Sequence, residues 1–222
     1  MAAVREEDLV RLPYWNELSE AERELVRRGS ELRRCQKGDY LMGDPTECLG
    51  MILLLSGELR AFFLSEEGRE ITLFFLGAGE TCVLSASCVI DQLTFETHLQ
   101  AQSDAEILIV GAPVFRRLTQ ENLHVRCFSF ERATDSFSDV VWTFQEILFR
   151  RVDQRLARFL LDESARLGSG ELRMTQEQVA LRTNTAREVA ARMFKRFSAE
   201  GLVSLRRGAI RIEDEAGLRA LL

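Results

Sequence analysis

Residues 175–192 read Thr-Gln-Glu-Gln-Val-Ala-Leu-Arg-Thr-Asn-Thr-Ala-Arg-Glu-Val-Ala-Ala-Arg and contain two signals for the start of a helix. Thr175 with Gln178, and Thr185 with Glu188, each fit the capping box, in which a hydroxyl and a side chain three residues later satisfy the first backbone N–H groups of a helix. One such signal is common in proteins, but two so close together predict two short consecutive helices.

The surrounding residues complete the order of elements. Residues 182–184 predict a tight turn between the two helices, and Gly201 ends the second helix as a C′ residue. Leu202–Leu205 and Ala209–Ile212 then predict a β-hairpin, with residues 206–208 as its turn. Helix, turn, helix and hairpin is the order of a winged helix-turn-helix, whose second helix can enter the major groove of DNA.

The second predicted helix has an apolar face and a polar face. Five residues at helical spacing are expected to pack inward: Val189, Ala190, Met193, Phe194 and Phe197. The opposite face suits DNA, because arginine can bond bidentately to guanine and glutamate can accept a hydrogen bond from cytosine. Such charges are also common on a solvated helix face, and Glu188 can serve only as the capping partner of Thr185. The predicted DNA-binding residues are Arg187, Glu188, Arg192 and Lys195 on this helix, Thr175, Gln176 and Thr185 at helix starts, and Arg206 in the hairpin.

The distribution of charge supports a basic C-terminal module. The formal net charge of −6 disfavours, taken alone, a nucleic-acid partner. Residues 1–151 carry a net −9, however, and residues 152–222 a net +3. Since phosphates respond to the local potential, double-stranded DNA remains the predicted partner.

Composition excludes several other classes of protein. No apolar run reaches the roughly 18 residues of a membrane span, and the N-terminus has no apolar signal segment, so we expect a cytoplasmic protein without a membrane partner. Five cysteines without metal-ligand spacing and only two histidines predict reduced thiols, no metal site and no catalytic triad. We therefore expect no enzymatic activity.

The N-terminal half has the pattern of short strands. Leu49–Ser56, Glu58–Leu64, Glu70–Leu76 and Leu99–Val110 are apolar runs separated by turn residues, and this regular spacing predicts an all-β sandwich or barrel. Gly68 is expected to supply the positive φ of a hairpin loop.

Residues 122–151 contain little Gly or Pro and predict one long helix. Phe130, Phe137 and Phe144 are seven residues apart, and Cys127 precedes them, which is typical of the apolar seam of a coiled coil. We expect these four residues to form the interface of a twofold homodimer, although a helix buried against its own domain would give a similar pattern. The predicted domains are residues 1–121 for effector sensing, 122–151 for dimerisation and the hinge, and 152–222 for DNA binding.

These features resemble the CRP/FNR family of bacterial transcription regulators over essentially the whole chain. The matching segments are residues 55–59 (Leu-Ser-Gly-Glu-Leu), residues 66–70 (Glu-Glu-Gly-Arg-Glu), the long helix, and residues 185–192. The resemblance implies an α+β chain, in which an N-terminal β-roll (a double-stranded β-helix, jelly-roll-like) is followed by a dimerisation helix and a C-terminal winged helix-turn-helix.

The resemblance also implies a mode of action. Arg187, Glu188 and Arg192 match the family pattern that reads TGTGA-type half-sites, so a homodimer would bind a palindrome and RNA polymerase would be a further partner. An effector in the β-roll would alter the angle between the two halves of the chain through a hinge near residues 151–153.

Two known effectors of the family fit this sequence poorly. Cyclic-AMP receptors hold the ribose with a Gly-Glu pair and the phosphate with an Arg-Ser or Arg-Thr pair, whereas Val83-Leu84 and Phe95-Glu96 stand at those positions here. Glu80 belongs to the preceding turn, so it does not supply the missing pair. The oxygen sensors of the family need a cysteine cluster near the N-terminus, but the first cysteine is the isolated Cys35.

The effector is therefore predicted to be a small organic molecule or a gas. Residues 69–88 resemble the carbon-monoxide sensors of the family, yet Ser85 or a neighbour stands where those sensors carry a histidine. We predict no cofactor and keep haem as an alternative, with Cys82, Cys88, His98 and His124 as candidate ligands. A thiol switch of Cys82 and Cys88 is the other alternative, although buried cysteines are more often inert. The predicted apolar effector pocket is lined by Val83, Leu84, Ser85, Ser87, Cys88, Phe95 and Thr97.

The sequence as a whole predicts an effector-responsive, homodimeric regulator that binds a TGTGA-like palindrome. The alternative is a ligand-binding oligomeric adaptor whose C-terminal module contacts protein instead of DNA.

Overall fold

The computed structural model describes residues 4–41, 48–86 and 97–222. The chain divides into two compact units, residues 1–141 and residues 142–222. Unit 1 combines helices with two antiparallel sheets, and unit 2 combines helices with one small sheet. None of the helices in the described ranges is long and apolar enough to span a membrane.

In the part of unit 1 that the structure describes, two helices precede seven strands. Its elements are α1 (Glu6–Leu9), α2 (Glu20–Gly29), β1 (Ser30–Cys35), β2 (Gly50–Ser56), β3 (Glu58–Leu64), β4 (Glu70–Gly77), β5 (Thr81–Cys82), β6 (His98–Ala101), β7 (Ala105–Gly111), α3 (Ala112–Glu121) and the greater part of α4 (Leu123–Phe149). The strand orders are β1-β7-β2-β5 in one sheet and β4-β3-β6 in the other.

The predicted strand Leu99–Val110 is wrong as a single element. It is broken into β6, which pairs with β3, and β7, which pairs with β1 and β2. Between them, Ser103 Oγ accepts a hydrogen bond from Glu58 N (3.0 Å) and Gln102 N donates to Glu58 O (2.8 Å). These two hydrogen bonds replace the pairing between strands at the point where the chain passes from one sheet to the other.

Strand β2 lies at the centre of the unit 1 core. Its side chains alternate between two apolar clusters: Met51, Leu53 and Leu55 pack with the N-terminal helices and α3, whereas Ile52 and Leu54 pack between the sheets. A strand that is covered on both faces is apolar at every position, which explains the continuous run that the sequence shows.

The hairpin and the long helix agree with their predictions. Gly68 lies in the loop between β3 and β4 with φ 79°, a left-handed conformation that glycine adopts without strain. Helix α4 begins after Asn122, whose Oδ1 accepts hydrogen bonds from the backbone N–H groups of His124 (2.9 Å) and Val125 (3.2 Å).

Unit 2 contains the end of α4 and then seven further elements. These are α5 (Val152–Leu167), β8 (Glu171–Leu172), α6 (Gln176–Arg182), α7 (Arg187–Ala199), β9 (Val203–Arg206), β10 (Ala209–Ile212) and α8 (Glu215–Arg219), with the strand order β8-β10-β9. The predicted hairpin turn at residues 206–208 is one residue too long, because Arg206 still pairs with Ala209. Gly208, with φ 73°, lies in the remaining two-residue loop.

Candidate DNA-binding interface and sensor site

Helix α6 starts as its sequence predicts. Thr175 Oγ1 accepts a hydrogen bond from Gln178 N (3.2 Å), and Gln178 Oε1 accepts one from Thr175 N (2.8 Å), so the capping box is complete. Thr183 ends the helix, and its hydroxyl donates back to Val179 O at 2.8 Å. Side-chain hydrogen bonds therefore fix both ends of helix α6.

The second predicted capping box is wrong. Helix α7 has Ala186 as its N-cap, and no side chain caps it. The hydroxyl of Thr185 instead donates to Thr183 O (3.2 Å) and accepts from Arg155 Nη2 (3.2 Å). Because Arg155 and the turn occupy this hydroxyl, Thr185 does not cap, and Glu188 stays exposed at the start of α7.

The two faces of α7 are arranged as predicted. Ala190, Phe194 and Phe197 are fully buried in the unit 2 core, whereas Val189 and Met193 are only half-buried. The predicted contact residues are all exposed: Arg187 in the first turn of the helix, and Glu188, Arg192 and Lys195 further along it. The aromatic residues thus anchor α7 and present a charged face to the surroundings.

Four predicted DNA-binding residues, from three parts of unit 2, lie around one depression. Thr175 and Gln176 from α6, Arg187 from α7 and Arg206 from the hairpin line a cavity of about 400 Å³. Glu177 lies there as well, with Oε1 3.5 Å from Arg187 Nη1, and both side chains are well exposed. Such an exposed pair is weak, so Arg187 can leave it for a stronger partner.

Arg155 is a residue of this region that the sequence did not single out. Its guanidinium donates from Nη2 to Asn184 O (3.4 Å) as well as to Thr185, and from Nη1 to the carbonyls of Ile147 (3.5 Å) and Arg150 (3.3 Å). Partial burial lowers the pKa of Arg155. An arginine on a predicted amphipathic helix gives no signal of such long-range partners.

The described residues of the predicted effector pocket are mostly core residues. Val83 belongs to one apolar cluster and Leu84 to the other. The hydroxyl of Ser85 donates to the carbonyls of Gly50 (2.7 Å) and Cys82 (3.0 Å), whereas that of Thr97 is buried without a partner. Ser87, Cys88 and Phe95 lie outside the described residues. That this set lines an effector pocket stays a prediction.

Glu80 does not imitate a ribose-binding glutamate, because its Oε2 accepts a hydrogen bond from Gly77 N at 2.6 Å and so closes its own turn. This agrees with the expectation that Glu80 belongs to the turn after β4. That the chain does not bind a cyclic nucleotide stays a prediction.

The candidate haem ligands are dispersed. Cys82 is buried and burial raises its pKa, His98 stacks on Phe62 with ring centroids 5.4 Å apart, and His124 lies 3.8 Å from Glu17 at the surface. Within residues 4–41, 48–86 and 97–222, no group of three His, Cys, Asp or Glu residues could hold a metal ion. Cys88 lies outside those ranges, and haem binding remains a hypothesis.

The cysteines differ in state. Cys35 and Cys82 are buried free thiols, and Cys127 is an exposed free thiol. Cys48 forms a disulfide, so the expectation of reduced thiols throughout is wrong for this residue.

The predicted seam of α4 is exposed along its length. Phe130, Phe137 and Phe144 are 53, 65 and 38% exposed, and Cys127 lies at the same surface. Large apolar side chains repeated at heptad spacing on a helix surface are typical of a helix that has a partner.

Comparison with known proteins supports this description along the chain. Residues 32–122 match the cyclic nucleotide-binding domain, and residues 154–221 match the Crp-like helix-turn-helix domain. A solved structure from Eubacterium rectale, described as a transcriptional regulator of the CRP/FNR family, is 36% identical, covers 96% of this chain and 98% of its own, and superimposes with a TM-score of 0.83.

Two more distant relatives agree. The transcriptional activator protein anr of Pseudomonas aeruginosa is 26% identical over 208 residues, which span 89% of this chain and 82% of that protein. A mutant of CooA from Carboxydothermus hydrogenoformans, 20% identical, shares the fold with a TM-score of 0.69 over 94% of both chains. The chain is a transcription regulator and not an enzyme, and it belongs to the CRP/FNR family.

Proposed function

We propose that this protein is an effector-responsive homodimer that binds a palindrome of TGTGA-like half-sites. The observation that carries the proposal is the exposed, charged surface of α7: Arg187 in the first turn, Glu188 and Arg192 are exposed, whereas Phe194 and Phe197 are buried. A helix anchored on one side and charged on the other is suited to the major groove, where arginine pairs with guanine and glutamate with cytosine.

The charges on α7 are available for DNA. Among the described residues, neither Arg192 nor Lys195 has an ion-pair partner, and Arg187 has only the exposed contact with Glu177. Thr175 and Gln176 at the start of α6 and Arg206 in the hairpin surround the same depression, where they can contact phosphates. These residues would set the position of α7, while the residues of α7 read bases.

A homodimer supplies the two recognition helices that a palindrome requires. The exposed seam at Phe130, Phe137 and Phe144 is self-complementary in a parallel pair of α4 helices, which would bury these rings against each other. Half-sites would then be centred about one DNA turn apart. RNA polymerase is the further partner that family membership suggests.

The test is binding of the full chain to a labelled duplex that carries two inverted TGTGA half-sites, measured by fluorescence anisotropy at fixed salt. We expect tighter binding than to a duplex with scrambled half-sites of the same composition, by a factor of at least 10³. Selection of bound duplexes from a random pool would then recover the same half-site. Equal affinity for both duplexes, with and without cell-extract small molecules, would overturn the proposal and favour the adaptor.

A further inference from the structure

We propose that a cavity in unit 1, between the β4–β5 turn and α4, binds a linear aliphatic polyamine and is the effector site of this regulator. The cavity has a volume of about 660 Å³ and is lined by segments within residues 13–17, 74–81 and 124–139. It shares no residue with the predicted apolar pocket. The inference rests on the proposed function for its regulatory meaning, but polyamine binding itself can be measured without DNA.

The walls of the cavity are strongly acidic. Among the described residues, one arginine and five carboxylates line it. The arginine, Arg132, is already paired with Asp135 at 2.7 Å. The carboxylates are Glu17, Glu80, Glu131, Asp135 and Asp139. An anionic effector such as a cyclic nucleotide would be repelled here, whereas a cation would be attracted.

The carboxylates on α4 have the spacing of a linear ligand. Glu131, Asp135 and Asp139 follow one another at intervals of four residues, so they lie on one face of the helix and rise by about 6 Å from one to the next. Three or four methylene groups separate neighbouring ammonium groups of a polyamine by a comparable distance. Cys127, the first residue of the predicted seam, borders the cavity, whereas the three seam rings do not line it. Phe130 is turned by about 100° relative to Glu131.

Tyr14 provides an independent sign that a ligand is accommodated. It lines the cavity, is 2% exposed, and its hydroxyl has no hydrogen-bond partner. A buried hydroxyl without a partner is costly. The ring is held by an edge contact with Phe128, whose centroid is 5.2 Å away. The oxygen itself is closed to solvent, so an ammonium group would donate to it, and remove this cost, only after a small displacement of the cavity wall.

The remaining walls explain why the cation should be organic. Phe74, Leu76 and Phe128 line the same cavity and provide apolar surface for methylene groups. A metal ion would instead need several clustered ligands, and the described part of the chain holds no group of three His, Cys, Asp or Glu residues arranged for one. Burial, Asp135 and Glu80 also raise the pKa of Asp139, because each disfavours its charged form, whereas a bound cation would favour that form.

The experiment is isothermal titration of the full chain with spermidine in the absence of DNA. We expect saturable binding of one spermidine per chain, little competition from magnesium at equal ionic strength, and none from 1,5-pentanediol. Asp139→Asn should weaken the affinity at least tenfold. Glu67→Gln, which changes the net charge equally in the exposed β3–β4 loop, should leave the affinity unchanged.

Tyr14→Phe separates a ligand-binding role from a structural one. The variant should fold with an unchanged or higher melting temperature, because it removes an unpartnered hydroxyl, and it should bind spermidine at least threefold more weakly. Absence of saturable heat, or equal loss in Asp139→Asn and Glu67→Gln, would overturn the polyamine site. Spermidine binding by a protein that binds no specific duplex would retain the site and overturn only the regulatory function.

Discussion

The guanidinium of Arg155 donates a hydrogen bond to Oγ1 of Thr185 at 3.2 Å and thereby joins α5 to the turn that precedes α7. The same side chain reaches the carbonyls of Ile147 and Arg150 at the end of α4. The carbonyl of Asn184 also accepts a hydrogen bond from Arg155. Asn184 has φ 50°, a conformation that is uncommon for residues other than glycine, and this hydrogen bond helps to hold it. Within unit 2, one arginine therefore connects the end of α4 with the start of α7.

Arg155→Ala should weaken both the fold of unit 2 and DNA binding. Loss of the donor removes four hydrogen bonds, to three backbone carbonyls and to the Thr185 hydroxyl, which costs about 1–3 kcal/mol of the free energy of unfolding. The start of α7 would also be less firmly held, so affinity for the specific duplex should fall at least threefold under conditions where the variant is folded. Urea denaturation and anisotropy measure the two effects.

Arg158→Ala is the matched control for Arg155, since it removes an arginine one turn away on the same helix. Arg158 Nε is buried without a partner. We expect its removal to change the free energy of unfolding by less than about 0.5 kcal/mol. Equal effects of the two substitutions would show that Arg155 acts only as a positive charge.

Arg187→Ala should cost about 1–3 kcal/mol of specific DNA affinity, because it removes a bidentate contact with guanine. The loss should be greatest for the intact half-site and small for duplexes with that guanine replaced. Arg219→Ala in α8 removes an equal charge from an arginine that is paired with Glu215. An equal loss in both variants, whatever the sequence of the duplex, would contradict a base contact by Arg187.

The winged helix-turn-helix could be predicted closely because its signals are local. These signals depend only on residues that are close together in the chain: the capping box of Thr175, the apolar residues of α7 and the hairpin glycine Gly208. Thr185 has the same local signal as Thr175, but its hydroxyl is taken by Arg155, thirty residues earlier in the chain. This contact with a distant residue overrides the local preference of Thr185 for capping a helix, and no spacing in the sequence predicts the contact.

Unit 1 was predicted less well for a related reason. The run Leu99–Val110 is apolar on both sides of Ser103, so the sequence does not show that β6 and β7 belong to different sheets. The acidic cavity draws Tyr14, Glu80 and Asp139 from three distant segments. No pattern in the sequence around these residues indicates a site, because they come together only when α4 packs beside the sheet.

Phe137→Glu should separate the homodimer into monomers. Phe137 is the most exposed of the three seam rings, and in a parallel pair two glutamates would meet at an apolar interface. A central interface position of this kind is worth at least about 2 kcal/mol, so the dissociation constant should rise at least thirtyfold. Sedimentation equilibrium measures it. Leu64→Glu, an exposed leucine outside α4, should not change the dissociation constant. A monomeric unmodified chain would refute the seam.

Ser85→Ala should destabilise unit 1 by about 1–2 kcal/mol, because the hydroxyl donates to two buried carbonyls. Thr97→Val is the contrasting change: its hydroxyl is buried without a partner, so the free energy of unfolding should stay the same or increase. Thermal denaturation distinguishes them. Equal destabilisation by both would contradict a structural role specific to Ser85.

Asp139→Asn should make the protein more stable at neutral pH, and this gain should vanish in acid. Burial and the negative charges of Asp135 and Glu80 raise the pKa of Asp139 above its ordinary value of 3.8. The folded state therefore holds this proton more tightly than the unfolded state, and wild-type stability falls as pH rises from 3.8 through the raised pKa. Asparagine carries no proton to lose, so its advantage should develop over that window and remain constant above it. Urea denaturation from pH 3.5 to pH 8 measures the difference. A variant that is less stable than wild type at pH 8 would show that the Asp139 carboxylate stabilises the fold, and it would contradict the inference that burial and the neighbouring carboxylates disfavour its charge.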